Sequence, residues 1–335
     1  MNYGKKGVRA KQKALNSKSQ KWGRKIALTC VKVMLAAVVG IGICGVAAGI
    51  GAFRGILSST PTIRLSDVVA VGEATIVYDR EGNEIDQYVS TNSNRLSVGM
   101  DEIPDYMGKA FVAIEDERFY QHNGIDFKSI IRAGYQFFKT GGEEAQGAST
   151  ITQQLLKNTV FTDWTSEGNN KIKKIKRKIQ EQYLALEITK YYSKDEILLR
   201  YMNAINLGQN TLGVESASLR YFGKHCSELT ISECAVIASI TQNPSRYNPI
   251  RHPEENAKRR EKCLNKMLEL GFITQAQYDE AMADTDAVYE RIGLYDIDYQ
   301  EANATTGSYF SDAVYEQVKQ DLILSGYNET MAETL

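Results

Sequence analysis

A stretch of 21 residues without a charge, residues 33–53, limits the fold of this chain more than any other feature. At about 1.5 Å of rise per residue, an α-helix of this length spans a hydrocarbon core about 30 Å thick. A cleaved signal peptide is the alternative, but its apolar region is shorter, at about 7–15 residues. The stretch therefore predicts a single transmembrane helix, and we assign residues 26–54 to a membrane anchor.

The charges around this stretch predict its orientation. Residues 1–25 carry nine Lys or Arg residues, and no Asp or Glu precedes position 55. Positive flanks stay in the cytoplasm, so residues 1–25 are predicted to form the cytoplasmic tail of a single-pass cell-membrane protein. The chain from residue 55 onward is predicted to lie outside the cytoplasm. That part holds 29 basic and 41 acidic residues, a balance that does not favour nucleic-acid binding.

An acidic pair, Glu115 and Asp116, ends an apolar helical pattern. Pro104 suits the first turn of this helix because its missing N–H has no partner there. Apolar residues then recur at helical spacing up to Ile114. Glu115 is therefore expected where the helix ends, in a partly desolvated position that suits a general base. An exposed acidic helix end is the alternative.

A polar stripe is predicted about thirty residues later, in the segment GASTITQQLLKN at residues 147–158. Side chains three and four residues apart share one face of a helix. The stripe consists of Ser149, Thr150, Gln153, Gln154 and Lys157. Hydroxyl and amide groups with a cation at one end suit a sugar joined to an anion. A solvated amphipathic helix is the alternative.

Two local signals concern the rest of the chain. Residues 75–78 and 84–89 flank the turn-rich stretch 79–83, a pattern that predicts a β-hairpin. Ser193 followed by Glu196 in front of an apolar run is typical of a helix capping box. No Gly-rich phosphate loop follows a predicted strand, which argues against a nucleotide cofactor or nucleotide-sugar donor.

Five ordered blocks resemble the peptidoglycan glycosyltransferases, which occur as single-domain enzymes and as the N-terminal half of class A penicillin-binding proteins. The first three blocks match E-D-x-x-F-x-x-H-x-G, G-x-S-T-I-T-Q-Q-L-x-K-N and R-K-x-x-E. Two more lie at residues 203–224 and 244–249. The first and third blocks are filled by Glu115, Asp116, Phe119, His122, Gly124, Arg177, Lys178 and Glu181. The second covers residues 147–158, with Ala148 where a second glycine is common.

The resemblance implies a mainly α, lysozyme-like fold with two lobes around a groove. It places this glycosyltransferase domain at residues 55–282, behind the single N-terminal transmembrane helix. Residues 283–335 resemble the linker that leads to a transpeptidase domain, and no S-x-x-K, S-x-N or K-T-G motif follows in these residues. The chain is therefore expected to be truncated before a transpeptidase domain.

The activity implied by the resemblance is polymerisation of lipid II into β-1,4 glycan strands, with inversion and release of undecaprenyl pyrophosphate. Glu115 would be the catalytic base. Glu181 would act near the leaving group through Mg²⁺ or Mn²⁺, which favour oxygen ligands. Lys157, Arg177 and Lys178 would hold phosphate oxygens. The other expected substrate-binding residues are Asp116, Phe119, His122, Ser149, Thr150, Gln153, Gln154 and Asn158. For Asp116 and His122, a role in shaping the motif loop is the alternative.

The expected partners are lipid II, the growing glycan strand and the membrane, with divisome or elongation-complex proteins as further candidates. Between the first two blocks, apolar residues at helical spacing carry a basic margin, as an interfacial helix would. These apolar residues are Phe127, Ile130, Ile131, Tyr135 and Phe138. Core packing explains this stripe equally well, but the resemblance favours the membrane.

Two other functions fit part of the sequence. A lysozyme-like glycan-cleaving enzyme would also use two carboxylates in a groove. Such a hydrolase would have no use for a cluster of cations placed for a pyrophosphate. A catalytically silent membrane scaffold is the second alternative, and it would not need the carboxylates and cations of the motifs.

Overall fold

The computed structural model describes most of the chain, and the account below concerns that part. The described residues are 4–15, 18–63, 68, 75–81, 84–88, 95–140, 147–162, 164, 168, 170–209, 211–293 and 309–325. The chain divides into two compact units, Met1–Thr60 and Pro61–Leu335.

The first unit consists of helices. Helix α1 covers Lys5–Leu15 and helix α2 covers Lys18–Ser58. The apolar part of α2, Trp22–Ser58, has a mean hydropathy of 2.5 over its most apolar window, and none of that window is buried. By length and composition this helix can cross a membrane. It contains the whole of the predicted anchor.

The second unit begins with the predicted hairpin. Strands β1 (Thr75–Tyr78) and β2 (Glu84–Tyr88) pair antiparallel, with an irregularity in register between Val77 and Tyr78. The hairpin prediction is therefore confirmed for the described residues, and Val89 of the predicted second strand lies outside them.

Helices make up most of the rest of the described second unit, so the prediction of a mainly α fold is confirmed. They are α3 (Asp105–Glu115), α4 (Phe127–Thr140), α5 (Ile151–Thr159), α6 (Lys171–Ile188), α7 (Lys194–Ala204), α8 (Val214–Phe222), α9 (Ile231–Ala238), α10 (Pro253–Glu269), α11 (Gln275–Ala283), α12 (Thr285–Glu290) and α13 (Tyr309–Leu324). Short 3₁₀ turns cover Phe119–Gln121 and Cys226–Glu228.

Polar side chains fix where several of these helices begin. Ser193 and Glu196 form the predicted capping box of α7, and Thr230 with Glu233 forms another at the start of α9. Each cap satisfies backbone N–H groups that have no partner within the helix, and such a cap is worth about 1 kcal/mol. The local sequence therefore sets the helix boundaries.

Helix α3 lies at the centre of the core. It packs against α7, α9 and α10, while α5 packs against α6 and α7. Met107 and Phe111 of α3 have no exposed surface. The ring of Phe111 meets that of Tyr201 edge to face, with 5.6 Å between centroids, a favoured aromatic geometry. This packing fixes the position of the C-terminal end of α3.

Helix α4 presents apolar side chains to the outside. Phe127, Ile131 and Tyr135, one turn apart, are 66%, 72% and 69% exposed. Core packing therefore does not explain these three residues, and that alternative is wrong for them. Ile130 is partly buried. The side chain of Phe138 lies outside the described residues.

Candidate active site

Glu115 is the last residue of α3, and its carboxylate accepts hydrogen bonds from three side chains. Gln154 Nε2 donates to Oε2 at 2.9 Å. Thr241 Oγ1 and Arg259 Nη2 both donate to Oε1, the latter at 2.7 Å. The donors come from α5, from the segment after α9 and from α10. Residues far apart in sequence therefore hold this carboxylate in one orientation.

The position of Glu115 at the end of α3 makes a nearby positive charge stabilising. The backbone at Asp116 leaves the helical conformation, with φ −156° and ψ 71°. A carboxylate in the last turn of a helix faces the negative end of the helix dipole, which is unfavourable. The guanidinium of Arg259 supplies a compensating charge, and only about a tenth of either side chain is exposed. Glu115 is thus partly desolvated, as predicted, but its surroundings are polar.

Asp116 and His122 tie the motif loop to the start of α5. Nε2 of His122 lies 3.0 Å from both carboxylate oxygens of Asp116, while Nδ1 accepts from the N–H of Gly124 at 3.2 Å. Nε2 is therefore the nitrogen that donates. Asp116 also accepts from the N–H of Ile151 at 3.1 Å, and Thr150 donates to the Gly124 carbonyl at 2.7 Å. These contacts give Asp116 and His122 the loop-shaping role that was the alternative to substrate binding.

Gly124 is required by this close packing. Its φ is +90°, and a Cβ built there would lie 2.3 Å from the carbonyl oxygen of Ala185 on α6. No L side chain fits so close to a backbone atom, and the conformation itself favours glycine. The glycine of the first motif therefore lets the loop lie directly on α6.

A cluster of cations lies where α5 and α6 meet. Lys178 Nζ donates to Glu181 Oε2 at 2.7 Å and to Ser149 Oγ at 3.0 Å. Arg177 pairs with the other oxygen of Glu181, whose side chain has no exposed surface. The structure therefore brings together Ser149 and the three residues of the third motif.

Lys157 connects this cluster to Glu115. Its pKa is lowered, chiefly by burial and then by the positive charge of Lys178, while the charges of Glu181 and Glu115 partly offset that effect. Its Nζ lies 4.2 Å from the centroid of the Trp164 ring, within cation–π range. In the described part of the chain Lys157 has no carboxylate within ion-pair distance. One site thus brings the carboxylates of Glu115 and Glu181 together with the cations Lys157, Arg177 and Lys178.

An open cavity of about 540 Å³ borders Glu115. It lies between the end of α3, the segment before α5 and one side of α10. Ser149 and Gln154 line it, so the cavity reaches the cation cluster. Its charged lining residues are Glu115, Asp116, Glu117, Asp126, Arg132, Arg259, Lys262 and Lys266. A polar substrate can therefore approach Glu115 from this side.

Three of the expected substrate-binding residues are buried. Phe119 has no exposed surface and belongs to the core, where its ring cannot reach a substrate. Thr150 and Gln153 are each 2% exposed, and Thr150 caps α5. The predicted polar stripe therefore divides: Ser149, Thr150 and Gln154 line the cavity beside Glu115, whereas Gln153 is buried and does not line it. Asn158 is partly buried.

Arg259 and Thr241 were missed by the sequence reasoning. Arg259 lies in the charged run of α10, which reads as an ordinary solvated helix face. Its guanidinium also donates to Gln242 Oε1 at 2.7 Å and to the Ser239 carbonyl at 3.1 Å. Thr241 and Arg259 follow Glu115 by 126 and 144 positions, and no local sequence pattern predicts contacts over such separations. Only the packing of α10 on α3 produces them.

The donors around Glu181 do not fit a divalent metal ion. Both carboxylate oxygens are taken by cations, and the side chain is fully buried. A divalent ion held by protein needs several oxygen ligands. No group of three His, Cys, Asp or Glu residues with suitable placement occurs in the described ranges. The expected role of Glu181 as a metal ligand is therefore not supported by this donor set.

Comparison with known proteins agrees with the motifs. A family model described as Transglycosylase matches residues 81–268, which is more than half of the chain. The chain therefore belongs to the transglycosylase family.

Similar proteins are penicillin-binding proteins. Penicillin-binding protein 1A of Clostridium perfringens (strain 13 / Type A) is 39% identical over 286 residues, covering 83% of this chain and 40% of that protein. Penicillin-binding protein 1A/1B of Bacillus subtilis (strain 168) is 35% identical over 279 residues, covering 83% of this chain and 29% of that protein. This chain thus spans less than half the length of either relative.

A solved structure is also similar. The crystal structure of Penicillin-Binding Protein 1A from Haemophilus influenzae has 23% sequence identity and a TM-score of 0.33, and the match covers 64% of this chain and 21% of that one.

Proposed function

We propose that this chain is a peptidoglycan glycosyltransferase, which polymerises lipid II into β-1,4 glycan strands and releases undecaprenyl pyrophosphate. The observation that carries the proposal is the joint placement of Glu115 and the cations. One oriented carboxylate borders an open cavity, and Ser149, which lines the same cavity, accepts a hydrogen bond from Lys178. Lys178 lies in one cluster with Arg177, and both charges act on Lys157. Transfer of a sugar from a diphosphate needs both groups in one site.

Glu115 acts as the base in this proposal. The 4-hydroxyl oxygen of the acceptor sugar attacks C1 of the donor, and the proton of that hydroxyl passes to the Glu115 carboxylate. The bond between C1 and the phosphate oxygen breaks in the same displacement, so the α anomer becomes a β linkage. The charge of Arg259 and the hydrogen bond from Gln154 keep the carboxylate oriented for this transfer.

The cations stabilise the leaving group. As the bond to C1 breaks, negative charge grows on the departing diphosphate. Side-chain cations already fixed in place stabilise that charge without reorganising. Ser149 can add a hydroxyl contact, because its Oγ lies 3.0 Å from Lys178 Nζ. Involvement of Mg²⁺ or Mn²⁺ stays a prediction from the resemblance, and no step of the proposal passes through a metal.

Membrane attachment fits a lipid-linked substrate. Helix α2 has the length and composition of a membrane span. The exposed stripe of Phe127, Ile131 and Tyr135, next to Lys128 and Arg132 on α4, is typical of a helix that lies in a membrane interface. We propose a single-pass protein with a cytoplasmic N-terminus and the site on the outer side, where lipid II is used.

The burial of Glu181 argues against a glycan-cleaving enzyme. A glycosidase needs two carboxyl groups that face the same bond. Glu181 has no exposed surface and pairs with two cations, while Asp116 is held by His122 and the start of α5. Neither is available as a second catalytic carboxylate beside Glu115, and the other two carboxylates that line the cavity, Glu117 and Asp126, are paired with Arg118. The site therefore favours transfer over hydrolysis.

One assay separates the three functions. The full chain is purified in detergent, supplied with lipid II, and the products are separated by size. Long glycan supports the proposal. Shortening of preformed glycan would indicate the hydrolase, and absence of any product would indicate the silent scaffold; either result would contradict the proposal.

A further inference from the structure

The carboxylate of Glu181 is occupied on both sides by residues of its own helix. Arg177 and Lys178 precede it by four and three positions, so their side chains lie on the same face of α6. Lys178 Nζ makes a second bond, to Ser149 at the start of α5. Glu181 thus joins a guanidinium, an ammonium and the neighbouring helix into one unit.

The charges of this unit leave a positive excess. Arg177, Lys178 and Lys157 contribute three positive charges, and Glu181 contributes one negative charge. Glu115 does not change this balance, because Arg259 pairs with it at 2.7 Å. The four side chains of Lys157, Arg177, Lys178 and Glu181 therefore sum to two positive charges. A diphosphate esterified at both ends, to a sugar and to a lipid, carries two negative charges.

The surroundings of Lys157 favour a bound anion next to its ammonium group. Burial and the neighbouring charge of Lys178 lower its pKa, so the ammonium is destabilised as the site stands. A bound dianion would relieve that repulsion. A divalent cation placed among the same groups would increase it, and both oxygens of Glu181 are already occupied.

We propose that Glu181 is a positioning residue, which holds Arg177 and Lys178 against the diphosphate of a lipid-linked sugar so that these cations bind it without a bridging metal ion. The inference rests on the proposed function for the identity of the substrate. It goes beyond that function in assigning to Glu181 the placement of Arg177 and Lys178.

Glutamine in place of Glu181 separates this role from that of a metal ligand. An amide has one acceptor oxygen, so it can hold Arg177 or Lys178 but repels the other through its NH₂ group. The matched control is Glu187→Gln on the same helix, where Glu187 pairs with the exposed Lys190 at 2.7 Å. Both variants lose one carboxylate, which makes two ion pairs at Glu181 and one at Glu187.

The experiment measures binding of farnesyl diphosphate to the full chain in detergent, by calorimetry, with Mg²⁺ and with EDTA. The parent is expected to bind equally well in both buffers. Glu181→Gln is expected to weaken binding about tenfold in both, the effect of misplacing one charged contact, and Glu187→Gln to match the parent. A double-mutant cycle with Arg177→Gln is expected to show coupling between positions 177 and 181, which general loss of stability would not produce.

Two results would overturn the inference. One is parent binding that falls tenfold or more in EDTA. The other is parent-like binding by Glu181→Gln. The EDTA comparison on the parent needs no variant, so it stands even where the variant fails to fold. Metal-independent binding without polymerisation of lipid II would contradict the proposed function and leave this inference intact.

Discussion

Replacing Arg259 should lower the activity of the proposed base, Glu115, although Glu115 itself is unchanged. Arg259 donates to Glu115, Gln242 and the Ser239 carbonyl, and both members of its ion pair are about nine-tenths buried. Alanine at position 259 would remove all three bonds. It would also leave the Glu115 carboxylate at the end of α3 without its counter-charge.

The size of the effect follows from these contacts. Breaking one partner out of a buried ion pair costs about 3–5 kcal/mol. In Arg259→Ala, Glu115 keeps its hydrogen bonds from Gln154 and Thr241. It also borders an open cavity, so water can replace the guanidinium. The free energy of unfolding should therefore fall by about 3 kcal/mol, the lower end of that range. For the rate, one hydrogen bond to a charged group is worth about 1.5–3 kcal/mol. That range corresponds to a loss of about 10- to 150-fold in polymerisation.

The assay is the initial rate of glycan formation from lipid II by purified full-length variants. Arg259→Lys keeps the charge but can replace only one of the three bonds, so its rate should lie between those of the parent and Arg259→Ala. Lys258→Ala is the matched control, since Lys258 lies on the same helix, is 71% exposed and pairs with Glu255. A parent-like rate in Arg259→Ala, with its unfolding midpoint unchanged, would refute the reasoning.

Three further predictions concern the loop, the cations and the topology. Gly124→Ala should lower the unfolding midpoint clearly, because its Cβ would meet the Ala185 carbonyl, whereas Gly134→Ala on α4, with open space around it, should not. Because the pKa of Lys157 is lowered, its ammonium should lose its proton at a lower alkaline pH than that of an ordinary lysine. Affinity for farnesyl diphosphate should fall over the same pH range, and Lys157→Ala should remove that decline. In whole cells without other reactive cysteines, an impermeant thiol reagent should label a cysteine at Ser308 and not one at Ser17; the reverse would contradict the topology.

Features set by neighbouring residues were predictable from the sequence. The long apolar helix, the β-hairpin and the capping box of Ser193 and Glu196 depend on contacts within a few positions. The end of α3 at Glu115 was also predictable, because an apolar helical pattern stops there. In each case a short segment determines its own backbone conformation.

The surroundings of the site residues were not predictable in this way. The partners of Glu115 come from α5, α10 and the segment after α9, and only tertiary packing decides which polar side chains meet there. The same holds for Gln153, which shares a sequence run with Gln154 but points into the core, where its Nε2 has no partner among the described residues. The ion pairs that fill both sides of Glu181 were likewise missed, although Arg177 and Lys178 lie within one turn of it.

The role of Glu115 as the base is the central claim, and Glu115→Gln tests it most directly. The amide keeps the shape of the side chain but cannot accept the proton, so polymerisation of lipid II should fall by about 10²–10⁴-fold, the usual contribution of a general base. Farnesyl diphosphate binding should be retained, since the cations are unchanged. Glu117→Gln, in the neighbouring carboxylate that lines the same cavity, is the matched control and should stay within a few-fold of the parent. Near-parent turnover by Glu115→Gln would contradict the account.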